Sequence, residues 1–219
     1  MTSATGLFIS FEGGEGSGKT TQINRLSDYL NAQGRRIVST REPGGTDEAE
    51  KIRNFLVKRD GGNWTPEAET LLLYAARSMH VQQIIKPGLD DGKVVISDRF
   101  SDSTLAYQGY GHGYDLQKIR DLDALILDGF KPDVTFILDI EPQKGIERST
   151  RRLANEALNL NRMEDRFEQL DISFHEKLRA GFLEIAAQEP KRCHVIDASQ
   201  DLDKVTEDIQ KIIDKVITA

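Results

Sequence analysis

The residues with the plainest chemistry are Gly13-Gly14-Glu15-Gly16-Ser17-Gly18-Lys19-Thr20, spaced G-x-x-x-x-G-K-[ST]. Glycines at this spacing let backbone N–H groups turn inward around phosphate oxygens. A helix starting directly afterwards aims its positive end at the same point. Lys19 can then reach the β- and γ-phosphates of a nucleoside triphosphate, and the Thr20 hydroxyl can ligate Mg²⁺. With Thr21 completing the cradle, the expectation is a site for ATP and Mg²⁺ and transfer of the γ-phosphoryl group.

Further along the chain lie residues suited to a second substrate. Thr40-Arg41-Glu42-Pro43-Gly44-Gly45-Thr46 reads evenly as a solvated turn or as a loop whose glycines admit a substrate to the backbone. Arg53 and Arg77 sit on helical patterns leaving that region; by spacing alone they are surface arginines. The apolar run at 94–98 ends in Ser97-Asp98-Arg99. An aspartate there can hold Mg²⁺ or its water near the phosphates, and Arg99 can clamp a phosphate bidentately. Ser103-Thr104-Leu105-Ala106-Tyr107-Gln108-Gly109 offers hydroxyls, an amide and an aromatic, the groups that read a base edge and a sugar.

The elements that must position these groups follow from the apolar pattern. Runs at 7–12, 36–40, 94–98, 134–139 and 194–197 are apolar nearly throughout, as in strands covered on both faces. Helical patterns lie between and after them, at 19–33, 48–58, 66–85, 116–128, 166–188 and 202–216. Gly34 stops the first. Thr65 and Pro66 start the third as N-cap and N1. Phe167, Leu170, Phe174, Leu178 and Phe182 form a helical stripe along 166–188. Alternating strands and helices predict an α/β fold: a five-stranded parallel sheet between helical layers, with ligands beyond the carboxyl ends of the strands.

Composition narrows the classes. The 219 residues carry a net charge of −7, which argues against a nucleic-acid binder. Cys193 is the one cysteine, so neither an internal disulfide nor a zinc cluster is expected. The opening MTSATG lacks the pattern of a signal peptide, and no run approaches the ~18 apolar residues of a membrane span, so a cytoplasmic protein is expected. His80, His112, His175 and His194 show no metal spacing, and Trp64 reads as packing. No N-K-x-D base-reading motif of a guanine-nucleotide switch is present.

Taken in order, FEGGEGSGKTTQ (11–22), TREPGGT (40–46), LLLYAAR (71–77), VVISDRFSDSTLAYQGYG (94–111) and EDRFEQLDISFHEKLRAGF (164–182) closely resemble the thymidylate kinase family over nearly the whole chain. The resemblance implies a P-loop nucleoside-monophosphate-kinase fold, one domain over 1–219 with a lid at about 148–166, and transfer of phosphate from ATP to dTMP with Mg²⁺. It assigns the dTMP phosphate to Arg53 and Arg99, and the thymine to Arg77, Thr104 and Gln108. Tyr107 falls against the deoxyribose, and Glu15 near the sugar 3′-hydroxyl or metal-bound water. Where the family often stacks a phenylalanine on thymine this chain has Leu73, so aliphatic packing, Tyr74 or Phe100 takes that role. A homodimer is also implied.

Some members of that family carry an arginine inside the P-loop; this chain has Glu15, Gly16 and Ser17 there. The other type supplies arginines from the lid, where Arg148, Arg151 and Arg152 lie, with Arg162 and Arg166 beyond. The catalytic set expected is therefore Lys19, Asp98, Arg99, Arg151 and Arg152, with Arg148 on the ATP. The polar segment LANEALNLN (153–161) has no core stripe, as suits a lid that orders on nucleotide binding.

Overall fold

The computed structural model describes residues 6–58, 61–156 and 166–218. Arg162 and most of the 153–161 segment lie outside them.

Strands β1 (Leu7–Glu12), β2 (Ile37–Arg41), β3 (Val94–Asp98), β4 (Val134–Asp139) and β5 (Cys193–Asp197) form one parallel sheet in the order β2-β3-β1-β4-β5. In β1 the side chains alternate between two apolar layers. Ile9 and Phe11 pack with Leu26 and Leu30 of α1 (Lys19–Ala32) and Val205, Ile209 and Ile213 of α9 (Leu202–Thr218). Phe8 packs oppositely with Val95, Ile85 and Phe100. The second layer continues through Ile137 and Cys193 to Phe174, Leu178 and Phe182 of α8 (Ile172–Gln188). Burial on both faces explains why β1, β3 and β4 are apolar rather than alternating. The edge strands depart from that expectation: β2 has no fully buried residue, and Val195 of β5 is exposed, because each has a neighbour on one side only.

Expected and observed boundaries differ where caps decide them. Thr46, the last residue of TREPGGT, caps α2 (Asp47–Val57) by accepting from the Ala49 N–H at 3.2 Å. Thr65 does the same for α3 (Pro66–His80). Beyond His80 the chain winds through a π-helical turn (Val81–Ile85) into α4 (Lys86–Asp90), so the helix expected to run from 66 to 85 changes character at its end. Pro87 has no N–H to offer the preceding turn, and a local change of helical pitch accommodates that. α8 starts at Ile172 behind the Asp171 cap, not at residue 166; Phe167 and Leu170 join the same apolar cluster from a turn. α6 spans Leu116–Leu127, with Asp128 left-handed at its end.

The polar segment 103–109, given no element by the apolar pattern, is helical. Ser101–Thr104 forms α5 and continues as a π-helical stretch (Leu105–Gly111). Asp102 anchors it: Arg192, at the entry to β5, donates to both Asp102 oxygens at 2.7 and 2.8 Å and to Thr135 Oγ1 at 2.7 Å. α7 (Pro142–Glu156) follows β4 and rests on the P-loop. A Cβ on Gly145 would come within 2.4 Å of the Glu15 carbonyl oxygen, so only glycine allows this approach.

Candidate active site

The carboxyl ends of β1 and β3 carry the groups expected to bind phosphate. β1 ends at Glu12 and α1 begins at Lys19, so the loop between them lies over the sheet edge. Gly13, Gly16 and Gly18 hold positive φ, conformations that side chains disfavour. Lys19 is buried; its Nζ donates to the Gly13 and Gly14 carbonyls at 3.1 Å each. Burial first, then nearby Arg99, lowers its pKa to about 8, against the pull of Asp98, Glu15 and Glu12. Thr20 Oγ1 donates to Asp98 Oδ2 at 3.3 Å, joining the loop to β3.

Arg99 follows β3 with φ 72, a left-handed backbone for a non-glycine residue. Such strain costs on the order of 1–3 kcal/mol and collects at functional sites. The conformation turns the guanidinium back onto the loop. It donates to the Gly13 carbonyl at 2.9 Å, to Ser103 Oγ at 3.2 Å and to Glu15 Oε1 at 3.1 Å. The Tyr107 hydroxyl donates to the same Glu15 oxygen at 2.5 Å, and the Tyr107 ring lies 4.8 Å from the Arg99 guanidinium carbon. Burial opposes ionisation of Glu15. Arg99, Lys19 and Tyr107 outweigh it and hold its pKa at about 2, so the carboxylate is charged without a bound ligand.

These groups open onto a cavity of about 720 Å³, within the range of small-molecule sites. Its far end is made by α3 and the 101–111 helix. Arg77 is buried: Nε donates to Glu42 Oε2 at 2.7 Å and Nη2 to Thr104 Oγ1 at 2.9 Å. The rings of Tyr74 and Phe100 lie 4.7 and 5.4 Å from its guanidinium carbon, so both aromatics pack on Arg77. Leu73 and Phe100 line the cavity; Tyr74 does not. Gln108 Nε2 donates to Glu69 Oε2 at 3.0 Å. Arg53 lines the wall and donates to the Pro43 carbonyl at 2.9 Å.

Arg148, Ser149, Arg152 and Leu153 of α7 close the cavity from above. Their spacing sets them on one helical face. Arg151 falls on another, exposed and outside the cavity lining. Arg148 Nη1 donates to the Ala198 carbonyl at 3.0 Å, and Ser149 to Glu168 at 2.9 Å. Within TREPGGT, Arg41, Glu42 and Pro43 face the cavity. The glycines serve internal packing instead: a Cβ on Gly45 would meet His80 at 2.5 Å, and one on Gly44 would meet Glu50 at 2.4 Å.

Carboxylates are what the sequence reading missed. Glu12 ends β1 fully buried and accepts from the Phe100 N–H at 2.7 Å and Ser103 Oγ at 2.5 Å. Burial, then Asp102, pushes its pKa up to about 8. Glu42 receives Arg77 and also contacts His80 Nδ1 at 2.9 Å. Glu69 receives Gln108 and pairs with Arg166. A signal was available: Glu12 is the lone charge in an apolar run, and Glu69, Leu73 and Arg77 recur every four residues, on one helical face.

Comparison with known proteins agrees with this geometry. A family model for thymidylate kinase matches residues 11–209. The thymidylate kinase of Caulobacter vibrioides is 48% identical over 208 residues, covering 95% of this chain and 96% of that protein. That of Syntrophotalea carbinolica is 47% identical over 199 residues, 91% of each. The crystal structure of thymidylate kinase from Ehrlichia chaffeensis superposes with a TM-score of 0.74 at 38% identity, covering 95% of this chain and 99% of that one. A P-loop joined to an arginine-rich second pocket, with a profile match over most of its length, makes this chain a member of the thymidylate kinase family, an enzyme of the nucleoside monophosphate kinase type.

Proposed function

We propose that this protein transfers the γ-phosphoryl group of ATP to dTMP, giving dTDP for dTTP synthesis. The carrying observation is a single cavity with phosphate-binding groups at one end and the Arg77, Thr104 and Gln108 set at the other. A dTMP phosphate oxygen attacks the γ-phosphorus, the bond to the β,γ-bridging oxygen breaks, and ADP leaves. Most of the catalysis is positioning and charge.

Residues 13–21 cradle the ATP phosphates, with Lys19 on the β- and γ-oxygens. Arg99 and Arg53 hold the dTMP phosphate. Glu15, charged before substrate arrives, accepts the sugar 3′-hydroxyl; Tyr107 orients Glu15 and flanks the deoxyribose. Arg77, Thr104 and Gln108 meet the thymine, with Leu73 as its aliphatic cover. The Thr20 hydroxyl and Asp98 carboxylate are hard oxygen donors 3.3 Å apart, suited to Mg²⁺ bound largely by phosphates and water. The ion would supply charge neutralisation at the β- and γ-phosphates.

With no arginine in the P-loop, cations from the lid at about 148–166 complete the transition-state charge. Arg148 and Arg152 lie on the cavity side of α7; Arg151 would need the helix to turn or shift. A homodimer is supported by the exposed Leu71 on α3 and Leu125 on α6, helices that pack together. The deciding experiment is ADP release with ATP and a panel of dTMP, dUMP, dCMP, dGMP and AMP. Preference for dTMP is expected. No stimulation by any monophosphate overturns the kinase reading, and preference for another overturns dTMP.

A further inference from the structure

The base end holds two polar atoms with nothing to bond. Among the described residues, Arg77 Nη1 and Gln108 Oε1 are closed to water and lack a hydrogen-bond partner. Unpaired buried polar atoms are costly, and a ligand that satisfies them recovers that cost. Both belong to residues lining the cavity. An amide is ambiguous until its surroundings assign it, and here they do. Glu69 pairs with the Arg166 guanidinium through one oxygen and accepts from Gln108 through the other. A carboxylate only accepts, so the amide must give Glu69 its nitrogen, and its oxygen is left over for the ligand.

We infer that Glu69 is a specificity-positioning residue: by holding the Gln108 amide in one orientation it presents an acceptor beside the Arg77 donor, selecting pyrimidines with a 4-oxo, 3-NH edge and rejecting cytosine. This rests on the dTMP reading above. Thymine and uracil offer an acceptor at O4 and a donor at N3. Cytosine offers a donor at N4 and an acceptor at N3, so both its contacts are mismatched. Sites built on such hydrogen bonds reject the wrong partner strongly, because buried groups are left unpaired. The device does not separate dTMP from dUMP, whose edges are alike.

The test is E69Q. A glutamine at 69 can donate as well as accept, so Gln108 loses its fixed orientation. The kcat/KM ratio of dTMP to dCMP should narrow at least ~10-fold, with the dTMP to dUMP ratio unchanged. A parallel fall for all three substrates, or no change, overturns the proposal, since a merely structural role would not move the ratio. Q108L keeps Glu69 paired with Arg166 and removes the oriented acceptor; it too should narrow the ratio, and a ratio unmoved by Q108L overturns the proposal even if E69Q does not fold. Failure of the dTMP reading would show separately, in the parent enzyme's own substrate preference.

Discussion

The two ends of the cavity solve opposite problems with the same residue types. At the end expected to take phosphates, Lys19 and Arg99 bond to loop carbonyls, Arg99 also to Glu15, and Asp98 accepts from Thr20. Ligand phosphates can replace those contacts without opening the core. At the base end, Arg77, Glu42, His80, Glu69, Thr104 and Gln108 are almost wholly buried and mutually bonded. The first arrangement is poised charge. The second is a piece of core that, in the function proposed above, also reads a ligand, so damage there should appear first as lost stability.

Arg77→Met is the strongest way to break that distinction. It strands the buried Glu42 carboxylate beside His80 alone. Removing one partner of a buried pair costs about 3–5 kcal/mol, a fall in Tm of roughly 6–20 °C for a chain this size. Thermal unfolding without substrate measures it; a Tm within about 2 °C of the parent would mean the base end is no more structural than the phosphate end. Lys19→Met is the counterpart. It removes a buried ammonium that burial already disfavours, so Tm should hold or rise. Losing a preorganised cation should cut kcat by ~10²–10³-fold, read in the ADP-release assay.

The lid arginines sharpen the comparison next. Arg152→Ala, on the cavity face of α7, should lower kcat by about 10²-fold, as loss of a transition-state cation does. Arg151→Ala should cost less, because Arg151 lies outside the cavity lining. Neither should shift Tm, since both side chains are exposed. Equal losses would mean that α7 turns on nucleotide binding; near-parental turnover in both would remove the lid from the mechanism.

How far the sequence disclosed each end follows from the same physics. Phosphate binding uses backbone geometry, and backbone geometry demands glycines at set spacings; residues 13–20 were therefore plain, as were β1, β3 and β4, whose burial makes them apolar. Residues 103–109 are so polar that the apolar pattern assigns them no element, yet they lie in two helical segments, because their polar groups bond to Glu12, Glu69 and Arg77 rather than to water. Carboxylates such as Glu42 and Glu69 look like surface residues until the chain closes over them. Asp102 and Arg192 stand 90 positions apart, a pairing no local pattern reveals.

The smallest expected effect is on pH, and it too belongs to one end only. Burial and Arg99 bring the free enzyme's Lys19 pKa down to about 8 from the ordinary 10.5. Nucleotide phosphates beside Nζ favour the ammonium and raise it. Above pH 8, then, binding must take up a proton, and the Kd for a non-hydrolysable ATP analogue should rise by up to tenfold per pH unit, about 1.4 kcal/mol. Calorimetry in buffers of different ionisation enthalpy should find uptake approaching one proton above pH 8 and little below pH 7. Unfolding cannot mimic this. Between pH 8 and 10.5 the unfolded chain holds the Lys19 proton and the folded chain does not, so this group's contribution to stability rises with pH while affinity falls. Arg77 remains charged throughout the same window, so dTMP binding measured alone should lack this Lys19-linked step. An equal step for both ligands would mean that the proton is shared between the two ends of the cavity.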